Sequence, residues 1–273
     1  MSESLMRVAI ASATWVLYGL DSLHAKRSAM ISYLANPLRF LKVSRVLAPT
    51  FYVLAAGMIG YSVWQGLYVV PPEAVQGDSA RILFIHVPSA WLAMSSYVGL
   101  ALASLIWFIW RHELADIAAK SIAPLGAGYT VLCLATGSLW GKPTWGTWWQ
   151  WDDARMVSVL VMLFLYLGYI ALRAALPSRQ QAARAGAILA MVGIINIPLI
   201  KFSVDWFTSL HQDASILRKG GSAMAEVYQT PLLIGALGHT LLFAALVMSA
   251  MRAEILERKT ARMRAQLLAG KEA

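Results

Sequence analysis

The chain has 273 residues, of which 59% are hydrophobic and 14% are charged, and its formal net charge is +9. Soluble domains are roughly 45–50% apolar and about 25% charged, so this chain has too few polar side chains to cover itself in water, and lipid is its expected solvent. Its single cysteine, Cys133, excludes an intrachain disulfide and a CxxC redox pair. No basic cluster carries recognition features, so we expect no nucleic-acid partner and read the positive charge as a sign of membrane topology.

The first 35 residues are predicted to be an N-terminal extension that is interfacial or disordered. Residues 8–20 are apolar but too short to span a membrane. No clean small-residue cleavage site precedes the segment "HAKRSAM", so a signal peptide is weakly supported. An interfacial helix and a start of translation at Met30 both stay open, and no function is assigned to this segment.

Six apolar stretches are long enough, or nearly so, to cross a membrane as helices. They are residues 46–66, 82–110, 121–139, 156–172, 185–200 and 227–251. Their apolar runs are continuous, which favours helices over the alternating segments of a β-barrel. In the second stretch Pro88 suits the first turn of a helix, so this helix is predicted to begin near Val87, with His86 directly before its first residue. In the fifth, Asn196 and Pro198 predict a bend.

Six spans place both termini on the same side of the membrane. Seventeen of the 23 Lys and Arg residues lie in the termini, in the loop after span two and in the loop after span four. The positive-inside rule places these segments in the cytoplasm. The sequence therefore predicts an all-α polytopic membrane protein with six transmembrane helices and both termini cytoplasmic, in which residues 36–251 form the bundle and residues 252–273 form a basic cytoplasmic tail. Loops 67–86, 140–155 and 202–226 then face outward.

One outward loop, "WGKPTWGTWWQWDD", holds five of the 11 tryptophans of the chain. They are Trp140, Trp145, Trp148, Trp149 and Trp151. One or two tryptophans here would indicate an aromatic belt at the membrane surface. Five of them, with Gly141 and Gly146 between, favour a loop whose rings approach one flat object. Pro143 and the glycines argue against an amphipathic surface helix.

Two histidines are predicted on the same outward face, His86 before span two and His211 after span five. Either one alone would more often be a hydrogen-bonded interfacial histidine, but neutral imidazole is also a common ligand of haem iron. A pair of imidazoles beside an indole-rich loop therefore predicts a porphyrin site, with Arg81, Lys142 or Arg155 near its propionates. His239, inside span six, is predicted to be a neutral, hydrogen-bonded histidine. No nucleophile motif or P-loop occurs, so we expect no enzymatic activity and no ATP binding.

The segment "GSLWGKPTWGTWWQWDDAR" resembles the tryptophan-rich WWD signature of the haem-handling proteins of cytochrome c maturation. The similarity extends to "RILFIHVPSAW", "FLYLGYIAL" and "WFTSLHQ", and covers about residues 35–250. The resemblance implies a six-helix protein of the bacterial inner membrane whose WWD loop faces the periplasm. There it would present haem b, a transiently bound substrate, to the periplasmic haem chaperone CcmE. Further implied partners are the small membrane protein CcmD and the transporter subunits CcmA and CcmB, whose ATP hydrolysis would release the loaded chaperone.

The same resemblance implies the residues of the haem site. His86 and His211 would be the axial ligands of the iron. The residues implied to contact the porphyrin come from the WWD loop: Trp140, Trp145, Gly146, Trp148, Trp149, Trp151, Asp152 and Arg155. The family reads tryptophan, aspartate, one residue, arginine, whereas this chain has one residue more between Trp151 and Arg155. Whether Asp152 or Asp153 fills the motif position is therefore open.

Two other functions are compatible with a polytopic helical protein. A b-type electron-transfer cytochrome would bury its histidine pairs within the bundle to hold permanent haem, whereas His86 and His211 are predicted at helix ends. A small-solute permease often has an internal repeat and polar groups at the membrane midplane. No repeat relates residues 46–139 to residues 156–251, which favours the haem-handling hypothesis.

Overall fold

The computed structural model describes residues 36–212, 216, 218 and 220–269. The predicted N-terminal extension, with its alternative start at Met30, lies outside the described residues. The chain divides into two compact units, Met1–Val43 and Ser44–Ala273. The first contributes only the opening turns of one helix to the described residues, and the second holds the bundle.

Six helices of the described chain are long and apolar enough to cross a membrane, which confirms the predicted helical class and the number of spans. Helix α1 (Pro37–Trp64) runs into a π-helical turn (Gln65–Val69), and a 3-10 turn (Asp78–Ile82) leads into α2 (Leu83–Trp110). They are followed by α3 (Glu113–Trp145), α4 (Ala154–Ala175), α5 (Arg179–Gly193), α6 (Asn196–Lys201), α7 (Ser203–Trp206) and α8 (Glu226–Ala269). Helices α5 and α6 together form the fifth span, Arg179–Lys201.

The start of α2 differs from the sequence prediction. The helix begins at Leu83 rather than near Val87, so His86 lies within its first turn and not ahead of it. The 3-10 turn Asp78–Ile82 feeds directly into the helix, so the first helical turn forms before the proline is reached. Pro88 therefore sits inside the helix, where it removes one backbone hydrogen bond. The consequence is that the backbone of His86 is fixed by helical geometry.

The end of α3 also differs from the prediction of a loop over residues 140–155. The helix continues to Trp145, so Trp140 and Trp145 are helical although Gly141 and Pro143 lie between them. Gly146 ends the helix with a φ of +78°, a left-handed conformation that glycine adopts at little cost, and its N–H donates to the carbonyl of Lys142 at 3.1 Å. The irregular part of the tryptophan-rich segment is therefore limited to residues 146–153.

The fifth span is interrupted, as Asn196 and Pro198 predicted. Helix α5 ends at Gly193 and α6 begins at Asn196. The Nδ2 atom of Asn196 donates to the carbonyl of Ser158 at 2.9 Å, so a side-chain amide ties the break to α4. The sixth span continues as a helix to Ala269, well past the predicted boundary at residue 251.

The core lies among α2, α3, α4 and α5 and uses small side chains. Ala93, Ala123 and Ala190 are fully buried and let the helix backbones approach closely. The hydroxyls of Ser96 and Tyr166 lie 2.7 Å apart and join α2 to α4. His239 is buried in α8, and its Nδ1 lies 3.3 Å from the Tyr129 hydroxyl, which agrees with the predicted hydrogen-bonded histidine.

The two ends of the bundle differ in chemistry. At one end α2 begins, α3 ends and α4 begins, and these three helix ends carry the predicted site. At the other end Asp116 of α3 lies 2.7 Å from Arg173 of α4 and 2.8 Å from Arg258 of α8. Because all three side chains are largely buried, this ion-pair network fixes the charged end of the bundle.

Candidate functional site

The imidazole of His86 is held by α3. Its Nδ1 lies 3.0 Å from Oγ1 of Thr136. The Thr136 hydroxyl has its own acceptor, because it donates to the carbonyl of Leu132 at 2.6 Å. It therefore accepts from His86, which places the proton on Nδ1 and leaves the lone pair of Nε2 available to a ligand.

Gly137 makes room for this imidazole. A Cβ atom at Gly137 would lie 3.1 Å from Cε1 of His86, closer than ordinary van der Waals contact. The absence of a side chain at this position therefore lets the ring lie directly against the backbone of α3. The close packing and the Thr136 hydrogen bond together fix the orientation of the ring.

Trp140 packs edge-to-face against His86, with 5.6 Å between the ring centroids. Its Nε1 donates to Oε1 of Gln76 at 2.7 Å. Gln76 belongs to the segment before α2, where an isolated bridge pairs Glu73 with Gly77. The backbone N–H groups of Gln76 and Val75 also donate to the Glu73 carboxylate, and they hold the pKa of that exposed group below its usual value. This compact turn positions the indole of Trp140.

The second histidine, His211, is held by the start of α4. Its Nδ1 lies 3.3 Å from Oδ2 of Asp153, a carboxylate that is almost completely buried. Asp153 also accepts from the backbone N–H groups of Met156 at 2.9 Å and Leu210 at 2.7 Å, and from the Ser209 hydroxyl at 2.8 Å. It is thus both the N-cap of α4 and the anchor of the segment that carries His211.

These contacts set the charge state of the pair. Burial raises the pKa of Asp153, but the hydrogen bonds from Met156, Ser209 and Leu210 and the charge of His211 outweigh it, so the net shift is downward. Burial lowers the pKa of His211, and the charge of Arg155 adds to this, while Asp153 opposes it without reversing it. At neutral pH the pair is an anionic carboxylate beside a neutral imidazole that donates from Nδ1. Its Nε2 lone pair is then free, as in His86.

The structure brings His86 and His211 to the same end of the bundle. Their imidazoles are close enough to interact electrostatically. Helix α3 links them, because Trp140 packs on His86 and Trp145 packs edge-to-face on His211 with 4.8 Å between centroids. Two imidazoles whose Nε2 atoms make no hydrogen bond within the described part of the chain thus lie beside two indoles of one helix.

The remaining residues of the tryptophan-rich segment are more open. Trp148 and Trp151 expose 53% and 73% of their surface, and Trp149 packs edge-to-face on Trp151 at 5.5 Å. Thr147 shapes this turn, because its hydroxyl donates to the carbonyl of Trp149 at 2.8 Å. The Nε1–H of Trp149 is buried and has no partner in the described part of the chain. Leaving a donor unpaired costs about 1–3 kcal/mol, which favours a loop that rearranges when something binds.

Of the charged residues at the predicted site, some interact with His211 and others do not. Asp152 is exposed, whereas its neighbour Asp153 is the residue that contacts His211. Arg155 is half-buried, donates from Nε to Ser203 Oγ at 3.1 Å and interacts electrostatically with His211. Arg81 instead donates to the carbonyls of Gly66 and Val70 and pairs with Asp78, and Lys142 donates to the carbonyl of Gly146.

Sequence reasoning did not identify the groups that hold the imidazoles. Thr136 and Gly137 lie within an apolar helix, and nothing in their spacing marks them as partners of His86. Gln76 and Ser209 lie in irregular segments without a motif. Asp153 was one of two candidates for the motif position. It directly precedes the helix that begins at Ala154, and an aspartate at that place can cap the helix, which is the sequence signal that could have distinguished it from Asp152.

The fold and the site define a polytopic helical membrane protein that presents two imidazoles and a row of indoles at one end of its bundle. The family model of CcmC, Heme exporter protein C, matches residues 30–266. Heme exporter protein C of Bradyrhizobium diazoefficiens is 48% identical over 226 residues, which are 83% of this chain and 85% of that protein. Its counterpart in Paracoccus denitrificans is 38% identical, covering 85% of this chain and 96% of that protein, and the one in Escherichia coli is 38% identical, covering 82% and 89%.

The chain therefore belongs to the CcmC family. This confirms the resemblance drawn from the tryptophan-rich motif and its companion segments.

Proposed function

We propose that this protein binds haem at the periplasmic face of the bacterial inner membrane and delivers it to the haem chaperone CcmE during cytochrome c maturation. The relatives are named Heme exporter protein C, which supports haem as the substrate. Haem b is the form proposed, because the chain has no CxxCH motif to attach haem covalently. The protein then has no catalytic role of its own.

The observation that carries the proposal is the matched state of the two histidines. His86 donates from Nδ1 to Thr136, and His211 donates from Nδ1 to Asp153. A histidine that ligates a metal usually donates its other ring N–H to such a partner, which fixes the ring and makes the free nitrogen more basic. Both Nε2 atoms are therefore prepared as ligands. No group of three or more His, Cys, Asp or Glu occurs in the described residues, so an iron here would take its equatorial ligands from a porphyrin.

The indoles supply the surface for the porphyrin. Trp140 and Trp145 lie against the two imidazoles, and the exposed rings of Trp148 and Trp151 face outward beside them. An aromatic pair contributes about 0.5–1.5 kcal/mol beyond its buried area. Several such contacts, together with Gly146 as a position without a side chain, support the binding of a flat ring. Because each of these contacts contributes so little free energy, the bound haem can also be released.

Two charged residues complete the proposed site. Arg155 is near His211 and is proposed to contact a haem propionate, because a guanidinium pairs well with a carboxylate. Asp152, which is exposed on the same loop, is proposed to lie at the rim of the haem site, where CcmE approaches. The exposed ring of Trp151, which packs on the partly buried Trp149, lies beside it.

The orientation in the membrane follows from charge. The end of the bundle opposite the histidines carries Arg173, Arg258, Arg262 and Lys120, and the positive-inside rule favours that end for the cytoplasm. Both termini would then be cytoplasmic and the WWD loop periplasmic. The family implies a complex with CcmD and with the transporter subunits CcmA and CcmB. We propose that those subunits supply the energy for releasing the loaded chaperone, since this chain has no P-loop.

The proposal is tested by loading the purified full chain with haem in detergent and then adding apo-CcmE. We expect His86→Ala and His211→Ala each to reduce retained haem and its transfer at least about tenfold, since a lost ligand removes more than a supporting contact does. His112→Ala is the matched control, because His112 lies at the other end of α2 and α3. Haem retention and transfer that survive both site variants would overturn the proposal.

A further inference from the structure

An open hollow of about 260 Å³ lies at the end of the bundle opposite the histidines. It opens where α2 ends and where α3 and α5 begin. Trp107 and Arg111 line it from α2, Glu113 and Asp116 from α3, and Arg179 and Arg258 from α5 and α8. Because α2 and α3 run the length of the bundle, this hollow is far from the proposed haem site and needs its own explanation.

The acidic residues of the hollow are already neutralised. Asp116 lies 2.8 Å from Arg258 and 2.7 Å from Arg173. Glu113 lies 2.9 Å from Arg262 and 3.5 Å from Arg258. Arg258 also lies 2.7 Å from Glu254, which pairs with Lys120 as well. Three carboxylates therefore face three guanidinium groups and one ammonium group before the other cations of the hollow are considered.

Two further arginines carry charge without a carboxylate partner. Within the described part of the chain, neither Arg111 nor Arg179 makes an ion pair. The guanidinium of Arg111 stacks on the indole of Trp107, with Cζ 4.6 Å from the ring centroid, which uses its face and leaves its N–H donors available. Arg111 also adopts a φ of +56°, a left-handed conformation that is uncommon for a residue with a side chain. The hollow therefore carries an excess of positive charge, which a bound anion would neutralise.

The surroundings indicate which kind of anion. The last turns of α2 expose Ile106, Ile109 and Trp110 by 42%, 55% and 63% of their surfaces. Trp110 is the last residue of a candidate span, at the depth where indoles meet lipid head groups. We propose that the hollow binds the phosphate of an anionic phospholipid, with Arg111 and Arg179 donating to the phosphate and the acyl chains lying along the exposed face of α2. The flanking apolar surface favours a lipid over an acidic peptide, which would leave these side chains uncovered.

The test uses the full chain in a zwitterionic detergent and measures lipid retention by native mass spectrometry and thermal stability. Phosphatidylglycerol is expected to be retained and to raise the melting temperature, and phosphatidylcholine is not. In Arg111→Gln/Arg179→Gln, binding of phosphatidylglycerol should weaken by tenfold or more, because two charge-assisted contacts are lost. Arg184→Gln/Lys259→Gln removes the same charge from exposed positions outside the hollow and should bind like the wild type. Arg179→Gln alone provides a milder variant, expected to weaken binding severalfold, if the double variant folds poorly.

The outcomes distinguish the lipid from other anions. Retention of phosphatidylglycerol by the double variant at the wild-type level, or equal loss in the control, overturns the proposal. Full stabilisation by inorganic phosphate alone would show a general phosphate site, and stabilisation by hexaglutamate without any by phosphatidylglycerol would show a site for an acidic protein. Either result would also overturn it. Haem loading is measured in parallel and should be unchanged in all variants, so failure here is separable from failure of the haem proposal.

Discussion

The carboxylate of Asp153 lies 3.3 Å from Nδ1 of His211, across 58 residues of sequence. Because the same carboxylate caps α4, the start of a transmembrane helix and the orientation of an imidazole depend on one side chain. The other histidine has a neutral counterpart of this arrangement, the contact of His86 with Thr136. The two proposed iron ligands are therefore supported unequally, one by an anion and one by a hydroxyl.

Asp153→Asn is expected to lower haem affinity about 10–100-fold, the usual effect of removing an outer partner of a metal-ligating histidine. The amide keeps a cap, since Asn and Asp cap helices about equally well, but it cannot accept all the hydrogen bonds that Asp153 receives. Haem titration per folded protein measures the effect. Asp152→Asn is the matched control and should bind haem as the wild type does; the reverse pattern would assign the motif position to Asp152.

Thr136→Val should also weaken haem binding about tenfold or more, because the Nδ1–H of His86 would lose its acceptor. Thr136→Ser retains the hydroxyl and should restore binding. Thr130→Val is the control, since Thr130 makes the same kind of bond to its own helix, at 2.7 Å to the Gly126 carbonyl, and makes no hydrogen bond to a histidine among the described residues. Equal losses in Thr136→Val and Thr130→Val would mean that general damage to α3, and not the histidine contact, is responsible.

Gly137→Ala should displace the imidazole of His86, because its new Cβ would lie 3.1 Å from Cε1. A side chain forced off its preferred rotamer costs about 0.5–1.5 kcal/mol, so haem retention should fall roughly two- to tenfold. Gly128→Ala in the same helix meets no atom within 4 Å and should leave retention unchanged. Normal retention in Gly137→Ala would show that the ring position is not critical.

Removing the charge of Arg155 should raise the pKa of His211. Burial and the Arg155 guanidinium hold that pKa below its ordinary value, and hydrogen bonds hold the pKa of Asp153 low as well. The site therefore keeps its anionic Asp153 and neutral His211 from neutral pH down through the ordinary pKa of histidine, about 6.5. As the pH falls further, through the lowered pKa of each group, His211 becomes protonated and Asp153 becomes neutral. The anionic partner and the unprotonated Nε2 are then lost. In Arg155→Gln a proton should compete with iron at a higher pH than in the wild type.

The pKa of His211 can be followed by NMR of histidine labelled at Cε1 in the haem-free protein, with the signal assigned through His211→Ala. Arg155→Lys keeps the charge and should keep the wild-type titration. Lys201→Gln, which removes an exposed charge that does not perturb His211, should also leave it unchanged. A titration that moves to lower pH in Arg155→Gln would contradict this account of the electrostatics.

Hydrophobicity alone was sufficient to predict the six spans, because a membrane helix must satisfy its backbone internally and leave a long apolar run in the sequence. The helix ends were harder to predict. Pro88 and Pro143 suggested boundaries, yet both lie inside helices, since the neighbouring turns tolerate the loss of a single hydrogen bond. Gly146, with its positive φ, marks the true end of α3.

The candidate site was predictable in part. Histidines and clustered tryptophans are rare enough in an apolar chain that His86, His211 and the loop could be singled out. Thr136 and Gly137 could not, because their role depends on which face of α3 turns toward α2 and on pairing over 50 residues. That information arises only when the helices pack.

The central claim, that His86 and His211 together ligate one haem iron, is tested most directly by pulsed EPR of the ferric haem complex carrying ¹⁵N-labelled histidine. The account predicts a low-spin signal with two sets of imidazole nitrogen couplings in the wild type, one from each histidine, and only one set in each of His86→Ala and His211→Ala. A wild-type complex with one imidazole or none, or two couplings that persist in either variant, would contradict it.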